Sequence, residues 1–451
     1  MSENPQVTDG SDRVRLAVKD CVHCGFCLSA CPTYQLWGEE MDSPRGRIHL
    51  VSQLLDGAPL TDAAAEHFDR CLGCMACMTA CPSGVQYDQI IEKARTWVDD
   101  PPEAAAVPAQ VPESAGRSRR DRITRDAIFS VFPYPRRLRA LTAPLRMLQR
   151  TGLDGVIARS GLPRLVSPAA EAALRLAPPS SAGAFPAGRF PSRVPALGER
   201  RAVVGMLTGC VQSVFFPRVN AATARVLAAE GCDVIIPRDQ GCCGALSQHS
   251  GRADEAARFA RQTIATFEAA GVDAIVVNSA GCGSSMKEYE RLFADDESWA
   301  RRAAALSARV RDLTEFLVEL GPVAPRHPVP VTAAYHDACH LGHAQRITRQ
   351  PRELLEAIPE LRLVELADAG TCCGSAGVYN LLQPEAARTL GARKADAVLA
   401  SGVSLVISGN PGCTLQISSE LASRGLSLAT AHTAEIIDAS IRGTRPPTPD
   451  A

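Results

Sequence analysis

The chain has 451 residues, with 48 Lys and Arg against 49 Asp and Glu and a formal net charge of −1, so no global basic field recruits nucleic acid. Hydrophobic residues make up 46% and charged residues 22%, and no apolar run approaches the ~18 residues that a bilayer span needs. The N-terminus lacks the basic start, apolar stretch and small-residue cleavage site of a secretory signal, so a cytoplasmic protein of about three domains is expected.

Residues 1–100 carry eight of the 17 cysteines, at 21, 24, 27, 31, 71, 74, 77 and 81. In a reducing compartment such thiols are sought first as metal ligands and second as disulfides. Both sets read C-x2-C-x2-C-x3-C-P, from Cys21 to Pro32 and from Cys71 to Pro82. Three thiolates at this pitch can wrap three irons of one cubane, and in two-cluster ferredoxins the fourth cysteine reaches over to the other cluster. That rule assigns Cys21, Cys24, Cys27 and Cys81 to one 4Fe-4S cluster and Cys71, Cys74, Cys77 and Cys31 to a second. Structural zinc needs only four ligands and has no use for the third C-x2 step. His23 sits between two ligating cysteines and is read as a neighbour outside the coordination sphere. After the turn Ser43-Pro44-Arg45-Gly46-Arg47, residues Ile48, Val51, Leu54 and Leu55 fall on one helical face, and 62–66 are good helix formers. The expected product is a small α-helical dicluster ferredoxin domain.

From 101 to 200 the composition changes, since 14 of the 32 prolines lie there and ten arginines face two aspartates between Arg117 and Arg150. This reads as a linker. Short helices fit 121–131 and 136–150, limited by the prolines at 133, 135 and 144. The basic stretch suits an acidic partner or a lipid surface, and a solvated connector equally well.

After residue 200, apolar runs at Val203–Leu207, Val234–Ile236, Ala274–Val277, Val331–Tyr335, Leu363–Leu366 and Leu405–Ile407 alternate with helical stretches such as 219–229, 253–270 and 385–400. This is an α/β pattern that favours parallel strands. It is also a duplication, because Cys210, Cys242-Cys243-Gly244 and Cys282 recur as Cys339, Cys372-Cys373-Gly374 and Cys413, at offsets of 129, 130 and 131 residues. Two homologous halves follow, at 201–325 and 326–445. Each set of four thiols sits just beyond the carboxyl ends of predicted strands, where α/β sheets gather ligands, and is a candidate metal site. His336, His340 and His343 surround Cys339, whereas the first half has Thr208 and Gln212 there, so histidine is no shared requirement. Cys232 opens an apolar run and reads as core.

The duplicated Cys-Cys-Gly (CCG) pattern resembles the cysteine-rich domains of heterodisulfide reductase and related oxidoreductase subunits over roughly residues 200–440. With the 21–27 motif, Cys31-Pro32-Thr33-Tyr34, the 43–47 turn and Ser83-Gly84-Val85, almost the whole chain is similar to the iron-sulfur subunits of glycolate oxidase. That resemblance implies an electron-transferring subunit, inactive alone, that works with FAD-binding subunits oxidising glycolate to glyoxylate. Quinone or another acceptor lies downstream, and the implied location is cytoplasmic or peripheral at the inner face of the membrane. FAD belongs to the partners, since no G-x-G-x-x-G opens a helix after a strand here. In the reductase pattern each CCG domain ends in C-x2-C, giving five thiolates for a double-cubane-like cluster; here Ser285 and Gln416 take the last position. Two other readings stand beside electron transfer: a catalyst that reduces a disulfide at the CCG sites, and an assembly scaffold whose CCG halves hold zinc. Lactate and glycerol-3-phosphate systems use comparable subunits.

Overall fold

The computed structural model describes residues 11–100, 117–151, 168–177 and 190–447, together with 153, 157 and 160. The proline-rich stretches at 101–116 and 178–189 lie outside the described residues.

The N-terminal unit is helical throughout: α1 (Ser11–Lys19), α2 (Phe26–Ala30), α3 (Pro32–Trp37), α4 (Pro44–Leu55), α5 (Asp62–Arg70), α6 (Ala76–Ala80) and α7 (Tyr87–Asp99). Helix α4 starts where the 43–47 turn says it should. Ser43 caps it by accepting from the Gly46 amide at 3.0 Å, and Pro44 occupies the first turn, where its missing N–H costs nothing. Ile48, Val51 and Leu54 are buried against α7, whose Ile90, Ile91 and Ala94 close the core. The short helices α2 and α6 begin just after the second cysteine of each motif, so each carries the third.

Helix α8 (Arg119–Val131), capped by Ser118, and α9 (Pro135–Thr151) form the linker. Pro144 lies inside α9, as it does in the helix expected over 136–150. It lies on the exposed side, where water can serve the carbonyl that loses its donor. The basic stretch is not wholly solvated: Arg117 is buried on Asp69 and Asp99, and Arg125 is buried on Asp69, while Arg119, Arg120, Arg122, Arg136 and Arg139 stay exposed. The acidic groups that these two buried arginines meet belong to the chain's own N-terminal unit.

The remainder is two parallel sheets. The first has order β1-β3-β2-β4-β5, from β1 (Arg193–Val194), β2 (Ala202–Met206), β3 (Cys232–Ile235), β4 (Ala274–Val277) and β5 (Val310–Asp312), with only β1 antiparallel. The second has order β7-β6-β8-β9, from β6 (Val331–His336), β7 (Leu361–Glu365), β8 (Leu405–Ser408) and β9 (Ala429–His432), parallel throughout. The strands β3-β2-β4-β5 and β7-β6-β8-β9 have the same order, so the cysteine duplication is a duplication of topology. The expected architecture, helical domain followed by two mainly parallel α/β halves, is the observed one.

The halves share one core. Val204, Met206 and Val234 of the first sheet join Tyr335, Leu405 and Ile407 of the second in a single buried cluster that includes Cys232. The helices Pro217–Ala229 and Thr433–Arg442 bring Arg225 onto Asp438 at 2.7 and 2.9 Å. Burial raises the Cys232 thiol to about 11, as a core cysteine requires.

Candidate functional site

All 17 cysteines are free thiols. In the N-terminal unit the two motifs form matched loops. Positions 23 and 25 in one, and 73 and 75 in the other, all have positive φ: His23 +53°, Gly25 +84°, Gly73 +63° and Met75 +60°. Left-handed residues at the same two positions curl each C-x2-C-x2-C run around its own thiols. Glycine relieves the strain at one position of each loop, while His23 and Met75 accept it.

Cys21, Cys24, Cys27 and Cys81 line one hollow of about 30 Å³, together with Cys77 of the other set. The Cys21 thiol is raised first by burial, and Cys81 and Cys24 are among the charges that raise it further. Cys31, Cys71, Cys74 and Cys77 are buried together, and burial, then Cys74, Cys71 and Cys31, hold the Cys77 thiol well above its usual range. The sets touch through Cys27, which also raises Cys77. They differ in exposure. Cys24 is exposed between Val22 and Phe26, 69% and 65% accessible, whereas Cys74 packs inside a cluster with Cys372 and Cys339.

Two arginines of the 43–47 turn serve one set each. Arg45 pairs with Glu40 at 2.6 Å and donates to the His23 carbonyl at 3.3 Å, beside the first loop. Arg47 is 1% exposed and donates to the His67 carbonyl at 2.7 Å, to Thr33 Oγ1 at 3.2 Å and to Asp42 at 3.3 Å. Burial raises the Cys71 thiol, yet Arg47 and Arg95 outweigh it and bring that thiol below its ordinary value. Gly46 lets the turn close, because a Cβ there would lie 2.1 Å from the Glu40 carbonyl oxygen. Eight soft thiols, wound loops and buried guanidiniums that offset thiolate charge suit two iron–sulfur clusters. His23 is exposed, with its carbonyl turned to Arg45.

In the first CCG half, Cys210 follows β2, Cys242 and Cys243 follow β3, and Cys282 follows β4. Cys210 and Cys242 Sγ are 3.5 Å apart. Hydrogen bonds from Cys242 and then Cys282 pull the Cys243 thiol well below its usual range, although burial opposes them. Gly244 turns at φ +89° with no room for a Cβ, which would sit 2.9 Å from the Ala256 carbonyl. Gly374 repeats this at +89° and 2.5 Å from the Ala387 carbonyl. The glycine of each CCG is thus required by a helix backbone pressed against the turn.

The second half gathers Cys339, Cys372, Cys373 and Cys413 in the same way, with Cys339 hydrogen-bonded to Cys372 and Cys373 to Cys413. The fifth positions of the reductase pattern are occupied by committed groups. Ser285 Oγ donates to Gln248 at 2.7 Å, and Gln416 bonds Asn380 and the Ala387 carbonyl, each at 3.1 Å. The three histidines around Cys339 separate. His340 Nε2 meets the Gly73 carbonyl at 3.0 Å, and His343 bonds Thr79 at 3.0 Å and the Gly370 carbonyl at 2.9 Å, so both tie the N-terminal unit to the second half. His340 also borders the cavity between the halves, and one ring nitrogen of His336 lies within 4.8 Å of the Cys373 and Cys413 sulfurs.

Sequence reasoning missed the seam between the halves. One cavity of about 150 Å³ is lined by all four first-half thiols, by Cys339, Cys373 and Cys413, and by Cys71 of the N-terminal unit. Gln212, 2% exposed, has both amide atoms unpartnered beside it, and His249 Nε2 is likewise unpartnered. The duplication was a signal for two sites, but only a shared core between the halves makes them face each other.

Comparison with known proteins agrees along the chain. Residues 17–85 match the family described as a 4Fe-4S dicluster domain, 204–287 and 333–418 each match the cysteine-rich CCG domain, and 120–176 match the linker region of the glycolate oxidase iron-sulfur subunit. The chain is 36% identical over 429 residues to the "Probable glycolate oxidase iron-sulfur subunit" of Bacillus subtilis, covering 93% of both. It is 35% identical over 407 residues to the glycolate oxidase iron-sulfur subunit of Escherichia coli, covering 89% of this chain and 90% of that one. Lactate utilization protein A of an Exiguobacterium is 32% identical over 240 residues, 53% of this chain and 98% of that protein. Dicluster loops, a family-specific linker and two CCG halves in one order, matched end to end at this identity, place the chain in the family of glycolate oxidase iron-sulfur subunits.

Proposed function

We propose that the chain is the electron-transferring subunit of a flavin-dependent glycolate oxidase, in which FAD-binding partner subunits oxidise glycolate to glyoxylate and a quinone or comparable carrier accepts the electrons. Cys21, Cys24, Cys27 and Cys81 would hold one 4Fe-4S cluster, and Cys71, Cys74, Cys77 and Cys31 the other. When bound, the clusters supply one-electron relay. The observation that carries this reading is the hollow that brings the distant Cys81 to Cys21, Cys24 and Cys27, bordered by Cys77 of a second, buried set of four thiols. The chain's own residues divide the work: exposed Cys24, Val22 and Phe26 present the first site to a partner, and Arg45 and Arg47 offset thiolate charge. Helices α8 and α9 expose Arg119, Arg120, Arg122, Arg136 and Arg139 with Leu141 and Met147, which suits peripheral contact with an anionic lipid surface near a membrane-borne quinone. The test is reconstitution. The purified chain should contain no flavin and leave glycolate unoxidised, with dye reduction appearing only on addition of the flavoprotein partners; turnover by the chain alone would defeat the proposal.

A second reading has its own observation. Thiols of both halves line one cavity with unpartnered Gln212 and His249 atoms, an arrangement that suits reductive chemistry at the CCG sites. Disulfide reduction by the isolated chain, lost on Cys243→Ser, would favour it.

A further inference from the structure

The two CCG halves are alike in topology and thiol placement and unlike at one interior position. His336 ends β6, paired in register with Ser408 of β8. Its counterpart in the first half, 129 residues earlier and immediately after β2, is Leu207, 2% exposed in an apolar cluster. His336 is 0% exposed, and neither ring nitrogen has a hydrogen-bond partner. A neutral imidazole carries one N–H donor and one acceptor, and burying both unpaired forfeits the hydrogen bonds that water would give them. Buried polar groups in this condition call for an ion or water. One ring nitrogen of His336 and the sulfurs of Cys373 and Cys413 lie within 4.8 Å of one another.

We propose that His336, Cys373 and Cys413 are ligands of a mixed nitrogen–sulfur metal site in the second CCG half, built for a single borderline-soft divalent ion of the zinc class. The inference rests on the reading of the second-half thiols as metal ligands. Cys372, hydrogen-bonded to Cys373, stands next for the fourth position. Imidazole with thiolates in a closed pocket is the donor set of a structural tetrahedral ion, about 2.0–2.1 Å to nitrogen and 2.3 Å to sulfur. Coordination would release the thiol protons and give one ring nitrogen its missing partner. Its place is structural: the ligands come from the end of β6, the loop after β7 and the helix Pro411–Ser423, so one ion would pin three segments behind the thiols that face Cys74. Leu207 makes the first half unable to build the same site, so the duplicated halves would differ in metal as well as sequence.

The test uses the full chain, purified anaerobically with its iron–sulfur clusters, then given zinc or cobalt(II) and dialysed. Wild type should retain one divalent ion more than His336→Leu, which copies the first half and keeps an apolar fit. The variant should bind that ion at least ~100-fold more weakly. X-ray absorption at the zinc edge should show imidazole scattering in wild type and none in His336→Cys, which should still hold zinc through sulfur. Equal retention by wild type and His336→Leu with sulfur-only coordination would overturn the histidine ligand while leaving the thiol site standing. Absence of any dialysis-resistant metal beyond the N-terminal clusters, in wild type as in Cys413→Ser, would overturn the thiol site with it.

Discussion

Cys81 is the residue on which the crossed ligation turns. It stands 50 or more positions from Cys21, Cys24 and Cys27 in sequence, yet lines the same hollow. Cys81→Ser should therefore remove about four irons and leave the set on Cys71, Cys74, Cys77 and Cys31 spectroscopically intact. Loss of that second set instead would show that each motif ligates its own cluster. The CCG glycines make a second test at this scale. Gly374→Ala forces a Cβ to within 2.5 Å of a helix carbonyl at φ +89°, whereas Gly402, at φ +66°, has nothing within 4 Å. Both substitutions carry the ~1 kcal/mol cost of a left-handed L-residue, and only Gly374→Ala adds displacement of the helix Pro384–Ala400. Urea titration should find it the more destabilised by at least ~1–2 kcal/mol. Equal losses would mean that the turn yields and the glycine is not demanded by packing.

Among elements, α8 shows what its composition did not. The ten arginines against two aspartates from Arg117 to Arg150 read as a basic surface, but Arg125 of α8 and Arg117 just before it leave solvent to meet Asp69, and Phe129 and Ile128 pack against Leu381 and Val378 of the second half. The helix straps the N-terminal unit to the CCG halves. Removing one partner of a buried ion pair strands the other, so Asp69→Asn should cost ~3–5 kcal/mol and open α8 to protease before the sheets. A cleavage pattern unchanged from wild type would show that the strap does not depend on this contact. The elements readable in advance were those with a local signature: the wound thiol motifs, the helix at 253–270, and six strands with apolar runs. Strands β5 and β9 were not, since Val310-Arg311-Asp312 and Ala429-Thr430-Ala431-His432 have no apolar run. Their signal lay after the strand, where Asp312 with Glu315 and His432 with Glu435 form matching capping boxes on the next helices. The separate fates of three histidines around Cys339 are set by tertiary neighbours alone.

At the scale of the molecule, histidines join the parts and give stability a direction with pH. His432 Nδ1 accepts from the Ala434 amide at 3.0 Å to cap its helix, so Nε2 carries the proton offered to the Asn278 carbonyl at 2.8 Å, across the two halves. Both bonds use the neutral ring, and burial pushes His432 down to about 4. His340, which joins the second half to Gly73, is pushed down to about 3 by burial and by His249. For each, the unfolded chain takes up a proton near pH 6.5 while the folded one does not. Their contribution is therefore complete above that pH and is lost as pH falls toward 4, at up to ~1.4 kcal/mol per pH unit per histidine. His249 runs the other way. Burial lowers it, but Glu92 at 2.8 Å more than compensates and raises it above its ordinary value, so its contribution is present in acid and lost as pH climbs through that raised value. Glu288, pushed up to about 8 by burial, also opposes His432 and His340, since the folded chain takes up its proton as pH falls from 8 toward 4.5 while the unfolded one does not. The histidine contributions therefore show in a difference between variants and not in the net slope. His432→Asn separates the terms, because asparagine can still cap the helix and does not titrate. Between pH 6.5 and 5 the unfolding free energy of the variant should decline less steeply than that of wild type by ~1 kcal/mol per pH unit. Parallel declines would mean that His432 is protonated in the folded protein and that its two neutral-ring bonds do not both form.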